Sequence, residues 1–208
     1  MRSTATISVT AALALAMAEP AAAHHMMGGA MPTTAMQGLI SGLGHPVIGL
    51  DHFAAVVAVG CLAAAHRPAA LLVISYVLAM SVGAALHVQG VTVPAAELLV
   101  ALSVLTLGVV TVQWLDALGP SAALVLFGVA GAVNGYALGE SIAGAEPSPL
   151  YAYFIGLAVI QIAVGLGAMA LARLLASQEP TAVRVRLIGA GVIGIGLAML
   201  AKDLVPGA

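Results

Sequence analysis

The sequence predicts an all-α fold, a polytopic membrane bundle of about six transmembrane helices that follows an N-terminal signal peptide. Of its 208 residues, 62% are hydrophobic and only 7% are charged. Soluble domains carry about 25% charged residues, so the lipid bilayer is the natural surrounding for this composition. The apolar runs are long and do not alternate with polar residues, which argues against strands. The net charge of -2 offers no basic surface for nucleic acid.

The first residues are typical of an export signal. Arg2 supplies a positive charge, residues 11–16 form an apolar run, and residues 21–23 fit a small-residue cleavage site. We therefore expect a signal peptide over 1–23 and a single transmembrane domain over 24–208. The alternative is an uncleaved first helix, because the apolar run is long enough for either.

Six apolar segments follow, each about as long as the ~20 residues that a helix needs to cross the hydrocarbon. The second and fourth contain no Asp, Glu, Lys or Arg. Proline near a helix start costs no hydrogen bond, which suits Pro46, Pro94 and Pro120. The connections are short, so no separate soluble domain is expected. The predicted segments are 45–65, 69–88, 93–113, 119–139, 149–173 and 184–203.

The basic residues predict the orientation. With the mature N-terminus exported, Arg67, Arg173, Arg184 and Arg186 fall on the inside and Lys202 falls outside. This distribution obeys the positive-inside rule. We therefore expect a multi-pass protein of the bacterial inner membrane with its mature N-terminus outside.

The densest polar motif lies at the predicted outer end of the first mature helix. His45 and His52 are seven residues apart, so a continuous helix places them on one face, with Gly49 leaving space between them. Asp51 is either a further ligand or a group that orients an imidazole. Imidazole with carboxylate suits Ni, Co, Cu or Zn better than Mg or Ca. The alternative is that both histidines only anchor the helix at the interface.

The block HPVIGLDHFAAVVAVG, residues 45–60, resembles the HPxxGxDH signature of the HupE/UreJ family of nickel and cobalt membrane permeases. These proteins are associated with nickel supply to hydrogenase and urease. The segment count and chain length are also similar to that family. The resemblance implies that His45, Asp51 and His52 handle the metal.

The later part of the chain departs from the family pattern. Where the family has a stretch resembling HGxAHGxE, residues 134–141 read NGYALGES, so Asn134 and Leu138 replace histidines and Glu140 comes one place early. Asn134 and Glu140 are predicted to line the onward path of the ion. For Asn134, a hydrogen bond between packed helices is an equal alternative. Gln161 stands where a further histidine is expected, and helix packing is the favoured interpretation there.

The predicted mature N-terminus forms a second candidate metal site. Cleavage after Ala23 leaves a free amine followed by His24 and His25, with several methionines close behind. An amine, backbone nitrogens and an imidazole match the tetragonal preference of Cu(II) and Ni(II), and thioethers favour Cu(I). The alternative is a disordered tail that binds metal weakly.

These observations predict secondary transport, as uptake or facilitated passage, of Ni²⁺ or Co²⁺ as the transported ion, with no permanently bound cofactor. A copper transporter and a non-transporting membrane metallochaperone or assembly factor are the alternatives. No phosphate-binding loop or catalytic dyad is evident, so an enzyme is not expected, and Cys61 alone forms no disulfide. The expected partners are the lipid bilayer, metal ions and metalloenzyme maturation proteins, without nucleic acid.

Overall fold

The structure is a computed structural model that describes residues 30–177 and 182–204. Within these residues the chain forms seven helices and no strands. The helices are α1 (Ala35–Ile48), α2 (Leu50–Ala63), α3 (Ala69–Val88), α4 (Ala96–Gln113), α5 (Pro120–Glu140), α6 (Pro147–Ala176) and α7 (Val183–Leu204). The predicted signal peptide over 1–23 lies outside the described residues.

The helices α3 to α7 are each long and apolar enough to cross a membrane. The helices α1 and α2 pass the same test together, although they are bent by 76° at a short break. Counting this pair as one broken span gives six spans in the described part of the chain. The prediction of an all-α bundle of about six membrane helices is confirmed, and α3 has the predicted bounds.

The first predicted helix, 45–65, is wrong in its start and in its continuity. The chain is already helical at Ala35, because Thr34 and Gln37 form a capping box in which each side chain accepts a hydrogen bond from the other's backbone N–H. The helix then ends at Ile48, since Gly49 is extended. Pro46 therefore lies inside the last turn of α1, not at a helix start.

The two helices of the broken span, α1 and α2, both pack against α6 and run in the same direction along it. A methyl group added to Gly42 of α1 would overlap the backbone of Tyr153, and one added to Gly60 of α2 would meet the backbone of Gly165. Both halves therefore pack along successive stretches of one long helix, which is the behaviour of a broken span.

Helix α2 lies at the centre of the bundle and contacts every other helix of the described chain. A helix that is apolar on all sides is buried, and most of α2 is made of small or branched apolar residues. Its buried residues are His52, Ala54, Ala55, Val56, Ala58, Val59, Gly60, Cys61, Leu62 and Ala63.

Glycine allows close contact in the most extensive helix pairs, α3 with α5, α1 with α6 and α4 with α7. In lipid no hydrophobic force drives helices together, so association depends on close packing of backbones. Gly135 of α5 shows this best, because a methyl group there would overlap the backbone of Met80 in α3.

The Gly135→Ala variant is therefore expected to be less stable, by about 1–3 kcal/mol, which is the usual cost of overpacking. The matched control is Gly128→Ala on the same helix, where an added methyl group meets nothing within 4 Å. Because alanine is the better helix former by about 1 kcal/mol, the control should be unchanged or slightly stabilised. Thermal unfolding of both variants in detergent is the measurement, and equal midpoints would contradict the close α3–α5 contact.

The basic residues are separated between the two ends of the bundle. The Arg173 guanidinium donates to the Ala64 carbonyl at the end of α2, 3.3 Å away. The Arg186 guanidinium donates to the Val112 carbonyl in the last turn of α4 at 3.0 Å. Cations are favourable beside the exposed carbonyls that end a helix. We call this end, which also carries Arg67, the arginine end, and Lys202 lies at the opposite end.

Candidate metal site

The break at Gly49 brings the two histidines of the motif together. His45 is in the last turn of α1 and His52 in the first turn of α2, and both are buried. Their ring centroids are 6.2 Å apart. An ion bound to an imidazole nitrogen lies roughly 3 Å from the ring centroid, so this separation is compatible with one ion between the rings. The prediction of one continuous helix is wrong, and the break at Gly49, not a shared helical face, brings the two rings close together.

The site lies inside the bundle, whereas the sequence analysis placed His45 at the outer end of a helix. The contacts of His52 mark its depth, because its neighbour Asn134 is six residues before the end of α5. At 1.5 Å per residue this is roughly 9 Å from the end of that helix. Ionisable groups at membrane depth are costly and are usually functional, so this burial favours a functional role for the histidines over interfacial anchoring.

Asp51 lies beside the open nitrogen of His52. Its Oδ2 is 3.7 Å from His52 Nε2. Two ligands that each bind one ion at about 2 Å cannot be more than about 4 Å apart, and this pair satisfies that limit. The Asp51 side chain is about a quarter exposed, against 7% for the His52 side chain. The carboxylate is therefore accessible to an arriving ion, and the imidazole lies behind it.

Asn134 determines which nitrogen of His52 is available. The Asn134 amide nitrogen donates to the Ala130 carbonyl and to Ser103 Oγ, both at 2.8 Å. A carbonyl only accepts, so the amide oxygen must face His52, whose Nδ1 lies 3.2 Å from it. Nδ1 therefore carries the proton, and the lone pair of a neutral ring is on Nε2, facing Asp51. This is the arrangement in which a second residue orients a metal-binding histidine.

The Asn134→Leu variant removes this oriented oxygen and keeps a buried side chain of similar size. We expect metal affinity to fall about 10- to 100-fold, the usual cost of losing a residue that orients a ligand. The control is Ser103→Ala, which leaves the bonds from Asn134 to His52 and Ala130 in place and should change affinity little. Calorimetric titration of the purified variants with Co²⁺ is the measurement. Equal affinity in a folded Asn134→Leu protein would contradict this role.

Glu140 lies away from the histidines, at the end of the bundle opposite the arginine end. It borders a cavity of about 650 Å³ together with Glu97. Sequence analysis did not foresee that α7 closes this cavity with Lys202 and Asp203. Glu140 is six residues beyond Asn134 on α5, and neither histidine of the pair lines the cavity. Its lining is Ala95, Ala96, Glu97, Leu98, Glu140, Lys202, Asp203 and Leu204.

The remaining predictions concern the N-terminal histidines and Leu138. His24 and His25 lie outside the described residues. Leu138 is fully buried, and its carbonyl accepts a hydrogen bond from the Tyr153 hydroxyl at 2.8 Å. Within 30–177 and 182–204, no three His, Cys, Asp or Glu side chains are grouped as a ready metal site. An ion at His45, Asp51 and His52 would therefore need further donors.

Ser103 is a neighbour of the site that sequence analysis missed. It accepts from Asn134 and itself donates to the Val100 carbonyl at 2.8 Å. The only sequence signal for Ser103 is a hydroxyl within an apolar helix. Ser75 and Ser81 of α3 give the same signal, yet each hydroxyl donates only to a carbonyl of its own helix. The signal therefore does not single out Ser103.

The fold and the two buried imidazoles beside the Asp51 carboxylate define a multi-pass helical membrane protein with a polar centre inside its bundle. The sequence profile of the HupE / UreJ protein family matches residues 11–199. The chain is also 32% identical over 162 residues to Protein HupE of Rhizobium leguminosarum bv. viciae, across 76% of this chain and 81% of that protein. The chain therefore belongs to the HupE/UreJ family. No solved structure matches it.

Proposed function

We propose that this protein carries a transition-metal cation, Ni²⁺ or Co²⁺, across the bacterial inner membrane by secondary uptake or facilitated passage. One observation supports this most: His45 and His52 meet inside the bundle beside Asp51, with the free nitrogen of His52 directed at the carboxylate. A structural role alone requires no such pairing, because buried polar groups in membranes are costly.

The proposed route begins at the end of the bundle opposite the arginine end. The carboxylates of Glu97 and Glu140 draw cations into the cavity they border. The ion then passes to the histidine pair, with Asn134 lining the passage behind it. By the positive-inside rule, the cavity faces out. Outside the described residues, His24 and His25 would capture the ion first.

The donor types determine the proposed substrate class. Imidazole and carboxylate favour transition metals over Mg²⁺ or Ca²⁺, and membership of the HupE/UreJ family supports Ni²⁺ or Co²⁺. The methionine-rich N-terminal segment motivates copper as the alternative ion. The ion is cargo and no resident cofactor is proposed. Metalloenzyme maturation proteins are the proposed recipients.

A second candidate function is a non-transporting membrane metallochaperone, and one observation favours it. Beyond His52, helix α2 turns wholly apolar toward the arginine end, and Val56, Val59 and Leu62 are no more than 1% exposed. This layer separates the site from the far end of the bundle. Transport requires the layer to part in each cycle, whereas a chaperone would keep it closed.

Metal content of cells that express the protein tests both candidates. A transporter should raise cellular Ni or Co far above the amount of protein present, with Cu, Zn and Mn measured in the same samples. A metallochaperone should raise cellular Ni or Co only in proportion to the amount of protein present. No rise in any metal, at confirmed membrane expression, would contradict both functions.

A further inference from the structure

Two polar side chains near the centre of the bundle have no hydrogen-bond partner among the residues that the structure describes. Tyr76 of α3 is fully buried and its hydroxyl is unpaired. Gln161 of α6 is 1% exposed, and neither its amide nitrogen nor its amide oxygen has a partner. Buried groups of this kind lower stability, and each one in a native structure requires an explanation.

Both side chains lie at the level of the histidine pair. One turn closer to the arginine end, Gly165 of α6 is in contact range of Val56 in α2 and Val73 in α3. Residues four apart on a helix share a face, as do residues three apart. One turn further from the arginine end, the residues on the same faces are Gln161 of α6, His52 of α2 and Tyr76 of α3.

The position of Asp51 agrees with this placement. The Asp51 carboxylate is close enough to the Tyr76 hydroxyl to act on it electrostatically. The unpaired hydroxyl and the unpaired amide thus border the same polar centre as the two imidazoles.

We propose that the Tyr76 hydroxyl oxygen and the Gln161 amide oxygen complete the coordination of a divalent transition-metal cation at His45, Asp51 and His52. This inference rests on the proposed function and names the missing donors of its site. Two imidazoles and one carboxylate leave a six-coordinate ion short of ligands, and neutral oxygens add donors without adding charge. Such a mixed nitrogen and oxygen set suits Ni²⁺ and Co²⁺ better than thiophilic Cu(I).

Helix packing is the competing explanation for Gln161, and the structure does not favour it. An amide that joins membrane helices does so by hydrogen bonds across the interface. Asn134 makes such bonds with His52 and Ser103. Gln161 is as buried as Asn134 and makes none. Its amide is therefore available to a partner other than the neighbouring helices.

The test compares Tyr76→Phe and Gln161→Met with wild type, each purified in detergent. Calorimetric titration and the visible spectrum of bound Co²⁺ report the site, and thermal unfolding without and with Co²⁺ reports stability. We expect each variant to lose about tenfold in Co²⁺ affinity and to change the Co²⁺ spectrum. Without metal, each should unfold at the same temperature as wild type or higher, because an unpaired buried polar group has been removed.

Tyr151→Phe is the matched control, since that ring is 68% exposed and lies outside the centre; it should bind Co²⁺ as wild type does. If Gln161→Met does not fold, Gln161→Glu keeps the oxygen donor and should bind Co²⁺ at least as tightly as wild type. Unchanged affinity and spectrum in Tyr76→Phe and Gln161→Met, with binding still lost in His52→Ala, would overturn this inference and leave the proposed function standing. Absence of binding in wild type would instead contradict the proposed function.

Discussion

The His52→Ala variant is expected to lose metal accumulation, by at least roughly a hundredfold, while still inserting into the membrane. His52 supplies a nitrogen whose lone pair is directed by a neighbour, since Asn134 accepts from its Nδ1. Losing a metal ligand should reduce affinity more than the 10- to 100-fold loss that follows when a group that only orients a ligand is removed. Initial uptake of labelled Ni²⁺ or Co²⁺, normalised to the amount of protein in the membrane, is the measurement.

The matched control is His87→Ala. His87 is also a histidine on a membrane helix, but its ring lies against Tyr136 with centroids 4.6 Å apart, near the end of α3. It has no place in the proposed site, so uptake should stay near the wild-type rate. Full uptake by His52→Ala, at equal expression, would return the histidine pair to an anchoring role.

The second large effect is expected from Asp51→Asn, which removes one negative charge and preserves size. The carboxylate is 3.7 Å from His52 Nε2, so a divalent ion between them loses a charged ligand. We expect uptake at low metal concentration to fall about 10- to 100-fold, with partial recovery as the concentration rises. Uptake rates over a range of metal concentrations measure this change.

The Asp116→Asn variant is the control for charge alone. Asp116 lies at the arginine end, where its side chain is 72% exposed and pairs with Arg186 at 3.1 Å. Its replacement changes the net charge equally and should leave uptake unchanged. If the two variants lost uptake to the same degree, the effect would be one of general electrostatics and not of the site.

Most of the fold was predictable, because the membrane forces a simple pattern. Long apolar runs must be helical in lipid, and five of the predicted segments match α3 to α7 within a few residues. The broken span was not predictable from hydropathy, since the run continues through Gly49. Thr34 and Gln37 were a readable start signal for α1. Pro46 was misinterpreted because proline is best tolerated in the first turn of a helix, whereas here it lies inside the last turn of α1.

The candidate site was likewise only partly predictable from the sequence. His45, Asp51 and His52 are close in sequence, so a local motif predicts that they act together. The bond between His52 and Asn134 joins residues 82 positions apart and depends on how α2 packs against α5. The chain gives no local signal for that contact. The same is true of Tyr76 and Gln161, whose importance depends on their having no partner in the described bundle.

The central claim is that a transition-metal ion crosses the bilayer through the His45, Asp51 and His52 site. Purified protein reconstituted in liposomes that contain a metal-sensitive dye tests it most directly. We predict a fast dye response when Ni²⁺ or Co²⁺ is added outside, and no response to Mg²⁺ or Ca²⁺. With the His52→Ala variant, the dye should respond no faster than in liposomes without protein. Metal binding by the wild-type protein without entry into the liposomes would contradict transport, and equal entry through His52→Ala would contradict the site.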